Sequence, residues 1–269
     1  MTFARLGLID PLLAALATLE YKTPTPVQVQ ALPAILAGRD LMAAAQTGTG
    51  KTAGFTLPIL QLLATAGAPV ASNSLRALVL VPTRELAEQV SESIRAYGQN
   101  LPLRTCAVYG GVSINPQMMK LRKGMDIVVA TPGRLLDLHR QNAIKFGQLR
   151  ILVLDEADRM LDLGFSRELD AVFAALPKRR QTLLFSATFS DAIRSMAGTI
   201  LNDPLAIETS PRNTAARSVK QWAIPVDKKR KPELFSHLLK RRRWGQVLVF
   251  VKTRKGVEHL VAPLQGQGI

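Results

Sequence analysis

Eight residues, Ala45-Gln46-Thr47-Gly48-Thr49-Gly50-Lys51-Thr52, constrain this chain more than any other segment. They follow the apolar run Leu41–Ala45 and open a helical pattern. A strand that passes to a helix through such a string is a P-loop. Gly48 and Gly50 let backbone N–H groups curl around phosphate oxygens, with Gln46, Thr47 and Thr49 completing the cradle. The Lys51 ammonium reaches the terminal phosphates, and the Thr52 hydroxyl offers a magnesium ligand. Ala45 stands where the general pattern has glycine. A glycine-rich surface turn is the competing reading, and it leaves the strand-to-helix setting unexplained.

The rest of the first 200 residues fits that element. Short apolar runs predict strands at Leu41–Ala45, Ala77–Val81, Arg104–Tyr109, Asp126–Ala130, Ile151–Leu154 and Thr182–Phe185. Helical patterns such as Glu85–Gln99 and Arg167–Leu176 fill the crossovers between them. Strands that read apolar throughout belong to a parallel sheet covered on both faces, so the fold class is α/β, doubly wound and mostly parallel. Ligands of such sheets collect at the carboxyl ends of the strands.

Hydrophobic residues make up 47% of the 269, enough to bury a core. The longest apolar runs, such as Ala31–Ala37, fall short of the roughly 18 residues of a membrane span. The N-terminus lacks a basic segment leading into an apolar one, and the single cysteine, Cys106, forms no internal disulfide. These features favour the cytoplasm. Cys106 reads as a small buried hydrophobe, and His139, His237 and His259 carry no motif.

Charge divides the chain. Residues 1–209 hold 21 Lys and Arg against 17 Asp and Glu, whereas residues 210–269 hold 14 against 3. An excess of +11 in the tail points to a phosphate polyanion as partner, against the plainer reading of a solvated surface. The basic runs Lys228-Lys229-Arg230-Lys231 and Lys240-Arg241-Arg242-Arg243 are read as such surface. The polar stretch after Ile207 reads as a linker, giving domains 1–207 and 219–269 joined by 208–218. Strands at Val219–Val226 and Val247–Val251, a helix at Lys231–Lys240 and another from Gly256 to about Leu264 begin a second α/β unit. Two strands are too few to close a core, so the tail is expected to be mobile or docked, and its open edges allow a dimer through Val247–Val251.

A P-loop needs an acidic partner at the end of a neighbouring strand to hold its metal. Ile151–Leu154 delivers Asp155 in that position, and Glu156 follows as the group that orients or deprotonates an attacking water. Without the P-loop, the pair would read as an acidic loop solvating a strand end.

Asp155-Glu156-Ala157-Asp158, followed by Ser186-Ala187-Thr188, completes a pattern that resembles the DEAD-box RNA helicases. Gln28 within Thr25-Pro26-Val27-Gln28, Pro82-Thr83-Arg84-Glu85-Leu86-Ala87, Gly110-Gly111 and Thr131-Pro132-Gly133-Arg134 fall in that family's order. The family commonly begins its P-loop with alanine. Leu6-Gly7-Leu8 and Gly54-Phe55-Thr56-Leu57-Pro58 are similar to the bacterial RhlE-type subgroup.

The resemblance implies a RecA-like fold with an incomplete second RecA-like domain, and ATP with Mg2+ as ligands. It implies that Gln28 reads adenine through a paired donor and acceptor, with Tyr21 stacked on the ring and Phe3 as an upstream aromatic. Ser186 and Thr188 are expected to hydrogen-bond Asp158 and couple phosphate state to domain closure. Arg84, Gly110, Gly111, Thr131, Gly133 and Arg134 are expected to face an RNA backbone without reading bases, joined by Thr253 and aided by Arg254. Partners implied are RNA and proteins of RNP or RNA-degradation assemblies, with no membrane. The arginines that a second domain contributes to phosphoryl transfer are expected beyond Ile269, so the chain alone is expected to bind nucleotide far better than it hydrolyses it. Two rival readings are a P-loop ATPase acting on DNA or protein, and a truncated, non-catalytic binder of ATP or RNA.

Overall fold

A computed structural model describes residues 2–45, 48–67, 69–208, 220, 222–242 and 244–266. Seven strands, β1 (Leu41–Ala44), β2 (Leu75–Leu80), β3 (Thr105–Val108), β4 (Met125–Ala130), β5 (Ile151–Leu154), β6 (Gln181–Ser186) and β7 (Leu205–Glu208), form one sheet. Their order is β3-β4-β2-β5-β6-β1-β7, and every pairing is parallel. The six expected strands are present, Ile151–Leu154 with the expected ends and the others with ends shifted by at most two residues. The expectation missed β7, an edge strand of four residues behind Pro204 in which only Ile207 is buried.

Successive side chains on a strand face opposite sides, and the central strands are apolar on both. Ala77, Val79, Ile127, Val129, Ile151, Val153, Leu183 and Phe185 join one core, packed on Leu12, Leu32, Leu57, Val90 and Ile94. Leu78, Leu80, Val128, Leu152, Leu154 and Leu184 join the other, packed on Leu121, Leu135, Leu138, Met160, Leu169 and Ile193. Helices therefore cover both faces, as a doubly wound sheet requires. Cys106 lies in the second core, and burial pushes its thiol up to about 12, which keeps it unreactive at neutral pH.

The chain divides into two compact units, Met1–Thr214 and Ala215–Ile269. In the second, helices Lys231–Arg242 and Arg254–Gln265 bury no residue. The strands expected there do not form among the described residues: 222–226 and Val247–Val251 are unpaired chain, with Val219 and Gln221 outside the described set. An apolar run becomes a strand only when a neighbour completes its backbone hydrogen bonds. Leu248 and Phe250 are 80% and 90% exposed instead.

Candidate active site

Parallel strands bring all their carboxyl ends to one pole. Because β6 lies between β1 and β5, the P-loop after β1, Ser186 at the end of β6 and Asp155 after β5 come together there. The loops after β2, β4 and β3 occupy the other half of the same pole.

The helix Lys51–Thr65 starts from Gly50, which holds a left-handed φ of 83°. A Cβ added there would meet Gln28 Nε2 at 2.5 Å, so only glycine lets the loop close this tightly on Gln28. Gln28 is buried, and its carboxamide is engaged at both ends: Oε1 accepts from Thr25 N at 2.9 Å and Nε2 donates to Gly50 O at 2.9 Å. The first of these bonds belongs to the capping box that starts the helix Pro26–Leu36. Gln28 thus ties the helix to the P-loop backbone, and each end of its carboxamide keeps one further donor or acceptor. Gln46 and Thr47 lie outside the described residues. Gly48 is exposed with φ 82°, while Thr49 and Thr52 are half-buried.

Lys51 is 6% exposed, and its Nζ has no hydrogen-bond partner among the described residues. The Asp155 carboxylate stands 4.0 Å away and is equally buried. Burial drives Asp155 up to about 6, against the pull of Lys51, which lowers it; Glu156 adds a further push upward. A buried ammonium without a hydrogen bond is costly unless a ligand anion completes it, and a triphosphate terminus meets that demand. The Thr52 hydroxyl and Asp155 are the oxygen ligands that would hold magnesium, which typically takes one or two protein oxygens together with phosphate and water. These residues fit both groups.

Glu156 caps the helix Ala157–Asp162 from a left-handed φ of 54°, a strained position for a residue with a Cβ. Its N–H donates to Asp155 Oδ1 at 3.0 Å, and its carboxylate pairs with Arg159 at 3.3 Å. Asp158 faces the end of β6. Its Oδ2 accepts from Ala187 N at 3.2 Å, Thr188 N at 3.0 Å and Thr188 Oγ1 at 3.1 Å. Ser186 departs from expectation: its hydroxyl donates to Thr188 O at 2.7 Å, because its buried position under the turn puts that carbonyl nearest. Tyr21 is 41% exposed and shares a 3.0 Å hydroxyl contact with Tyr97, ring edge to ring face. Burial, with that hydrogen bond second, pushes the Tyr97 hydroxyl up. Phe3 is buried in the first core, where its ring is committed to packing.

On the other half of the pole, Thr83 caps the helix Arg84–Tyr97 by accepting from Leu86 N at 3.2 Å, which leaves Arg84 exposed at the first turn. Gly110 and Gly111 follow β3, Gly111 with φ 81°. Gln117 holds this turn in place, accepting from Tyr109 N and donating to Tyr109 O, both at 3.1 Å. Thr131 precedes the helix Pro132–Arg140, with Gly133 and Arg134 in its first turn. Arg134 Nη2 donates to Val112 O at 2.8 Å and Nη1 has no protein partner, so half of the guanidinium braces the glycine turn. Sequence reasoning missed Gln117 and Tyr109; the spacing of Gln117 behind the glycine pair was its only signal. Thr253 belongs to the second unit, where it caps the helix Arg254–Gln265 by accepting from Gly256 N at 3.1 Å.

The pattern of the family described as DEAD/DEAH box helicase matches residues 25–196. Among curated proteins, the "DEAD-box ATP-dependent RNA helicase CshA" of Bacillus cereus is 36% identical over 267 residues, 99% of this chain and 50% of that protein. The "ATP-dependent rRNA helicase rrp3" of Aspergillus niger is 40% identical over 271 residues, 99% of this chain and 56% of that protein. Among solved structures, a DEAD box protein from Methanococcus jannaschii superposes with a TM-score of 0.73 at 33% identity, covering 100% of this chain and 71% of that one. This chain spans about half the length of the curated relatives it matches.

Proposed function

The chain belongs to the DEAD/DEAH box helicase family, and on that footing we propose that it is the ATP- and RNA-binding part of an ATP-dependent RNA helicase. The observation that carries this reading is the buried Lys51 ammonium, without a hydrogen bond among the described residues and 4.0 Å from Asp155. Lys51 and the P-loop amides hold the phosphates of ATP, while Thr52 and Asp155 hold magnesium. Bound magnesium supplies positive charge against the phosphoryl group being transferred. Glu156 orients the attacking water, and Gln28 with Tyr21 recognises the adenine. Gln28 also holds Gly50 O through its Nε2, which links the adenine-reading residue to the P-loop backbone.

Asp158 and Thr188 connect the end of β6 to the acidic helix, which supports a coupling role. Arg84, Gly110, Gly111, Thr131, Gly133 and Arg134 line the loops proposed to hold the RNA backbone, and Thr253 of the second unit is by itself proposed as an RNA contact. The proposed organisation is a first RecA-like domain over 1–207, a linker over 208–218 and the start of a second over 219–269. Leu6-Gly7-Leu8 and Gly54-Phe55-Thr56-Leu57-Pro58 support the RhlE-type subgroup. A cytoplasmic location, protein partners in RNA-processing assemblies and pairing through Val247–Val251 belong to the same proposal.

ATP turnover with RNA and with DNA, measured on a polypeptide extended to the length of the relatives, tests the function. RNA is expected to stimulate and DNA not. Equal stimulation would favour a DNA-directed ATPase, and no turnover with either would favour a non-catalytic binder.

A further inference from the structure

The pole opposite the nucleotide site is cationic. Segments that enter successive strands lie side by side there. Asp126 N and Ile127 N donate to Arg104 O at 2.8 and 3.1 Å, and Met125 N to Ser74 O at 3.0 Å. Lys145 N donates to Asn73 O at 2.7 Å, Arg150 N to Arg76 O and Gln181 N to Arg150 O at 2.8 Å. Gln181 Nε2 reaches Arg39 O at 2.7 Å. Arg104, Lys123, Lys145, Arg150, Arg179 and Arg39 therefore follow one another along the amino edge of the sheet. Six strands at about 4.8 Å spacing give this edge a length of roughly 24 Å.

All six side chains are exposed, and none makes an ion pair among the described residues. The acids nearest them are consumed internally. Asp40 accepts from Thr182 N and Asn202 N, both at 2.8 Å, and Asp126 takes Arg104 N at 2.7 Å and the buried Arg76. Asp203 before β7 is the exposed acid of this edge. None of the exposed large apolar side chains lies in the segments that enter β1 to β6. A protein partner ordinarily anchors on apolar or aromatic side chains, whereas a phosphate backbone requires only a row of cations.

We propose that this amino edge is a second RNA-backbone surface, separate from the loops at the carboxyl pole. It lets the domain hold a flanking stretch of RNA by charge alone while the other pole works on the strand at the nucleotide site. The choice of RNA as polyanion rests on the proposed function; the charge arrangement does not. Crossover helices also direct their carboxyl ends toward this pole, and cations there offset the helix dipoles. That local role affects stability and leaves RNA binding unchanged, so the two roles separate experimentally.

The test is the quadruple variant Lys123→Gln, Lys145→Gln, Arg150→Gln, Arg179→Gln of the whole chain. Its affinity for a mixed-sequence single-stranded RNA is measured by fluorescence anisotropy over a salt series. Removing four phosphate contacts is expected to reduce the slope of log affinity against log salt by up to about 3 and to weaken binding on the order of tenfold or more at low salt. ADP affinity stays at the parent value. The single variant Lys145→Glu, whose side chain is exposed beside an isolated β-bridge to Ser74, repeats the effect in smaller degree should the quadruple variant fold poorly. A parent-like slope in both overturns the proposal, as does a parent chain that binds no RNA. Loss of binding in Arg84→Gln/Arg134→Gln alone would confine RNA to the carboxyl pole and also overturn it. Selective loss of polyglutamate binding, with RNA binding unchanged, would overturn it in favour of an acidic protein. ATP turnover is not read in this assay, so a failure of RNA to stimulate turnover is a separate result.

Discussion

Lys51 Nζ and Asp155 Oδ1 face each other at 4.0 Å in a buried site, too far apart for a direct hydrogen bond. Two opposite charges are thus taken from water with their mutual contact incomplete. The rest of the sheet holds the site together, and in the proposed function a phosphate with its metal would complete it.

The cost of that arrangement is visible in pH. Burial raises Asp155 to about 6, above its unfolded value near 4. Its raised affinity for a proton favours the folded state fully below about pH 4, and this contribution is lost as pH rises to about 6. In metal-free buffer, the stability of the parent relative to Asp155→Asn is expected to fall by on the order of 2 kcal/mol between pH 4 and pH 7. Denaturant unfolding at both pH values measures it. A difference that is flat with pH would show that the carboxylate is not desolvated.

Gly50→Ala tests the contact between P-loop and Gln28. The added Cβ meets Gln28 Nε2 at 2.5 Å and sits at a left-handed φ. A loss of about 1–2 kcal/mol is expected from the backbone conformation alone, together with weaker ADP binding. Unchanged melting and affinity would mean that the loop rearranges freely around Gln28.

Asp158→Ala removes the acceptor of three hydrogen bonds from Ala187 and Thr188, whereas Thr188→Val removes only the hydroxyl one. At about 0.5–1.5 kcal/mol each, Asp158→Ala is expected to destabilise by roughly 1.5–4.5 kcal/mol and Thr188→Val by about a third of that. Both keep ADP affinity near the parent value, because neither group lines the phosphate cradle. Equal losses from the two variants in thermal unfolding would contradict this division.

The second unit buries no residue of either of its helices. Hydrogen exchange is therefore expected to be rapid over residues 222–266 and slow over β2, β4 and β5. Protection in the second unit equal to that of the central strands, independent of concentration, would mean that it folds unaided. Protection that rises with concentration would instead support pairing between chains.

The sheet was legible where its strands read as continuous apolar runs, because burial on both faces leaves that signature in Ala77–Leu80 or Ile151–Leu154. It was illegible at β7, where a single buried residue, Ile207, gives no pattern. The opposite error occurred at Val247–Val251, which has the composition of a strand but no neighbour with which to pair among the described residues. At the candidate site, residue types announced that Asp155 at a strand end would stand near Lys51. Hydrogen-bond direction was not announced: nothing in Ser186-Ala187-Thr188 tells which hydroxyl turns toward Asp158. The Thr25–Gln28 capping box was readable as a helix start, and its reach to Gly50 needed the folded chain.

The most direct test of the central claim is calorimetric titration of the chain with magnesium nucleotides. ADP is expected to bind with one-to-one stoichiometry and much more tightly than GDP, with Gln28→Ala erasing that preference. Glu156→Gln is expected to retain the affinity, because the amide keeps the shape of the site, and Lys51→Ala to lose it. Equal affinity for ADP and GDP in the parent would contradict the role of Gln28. Parent-like binding by Lys51→Ala would contradict the assignment of this pole as the nucleotide site.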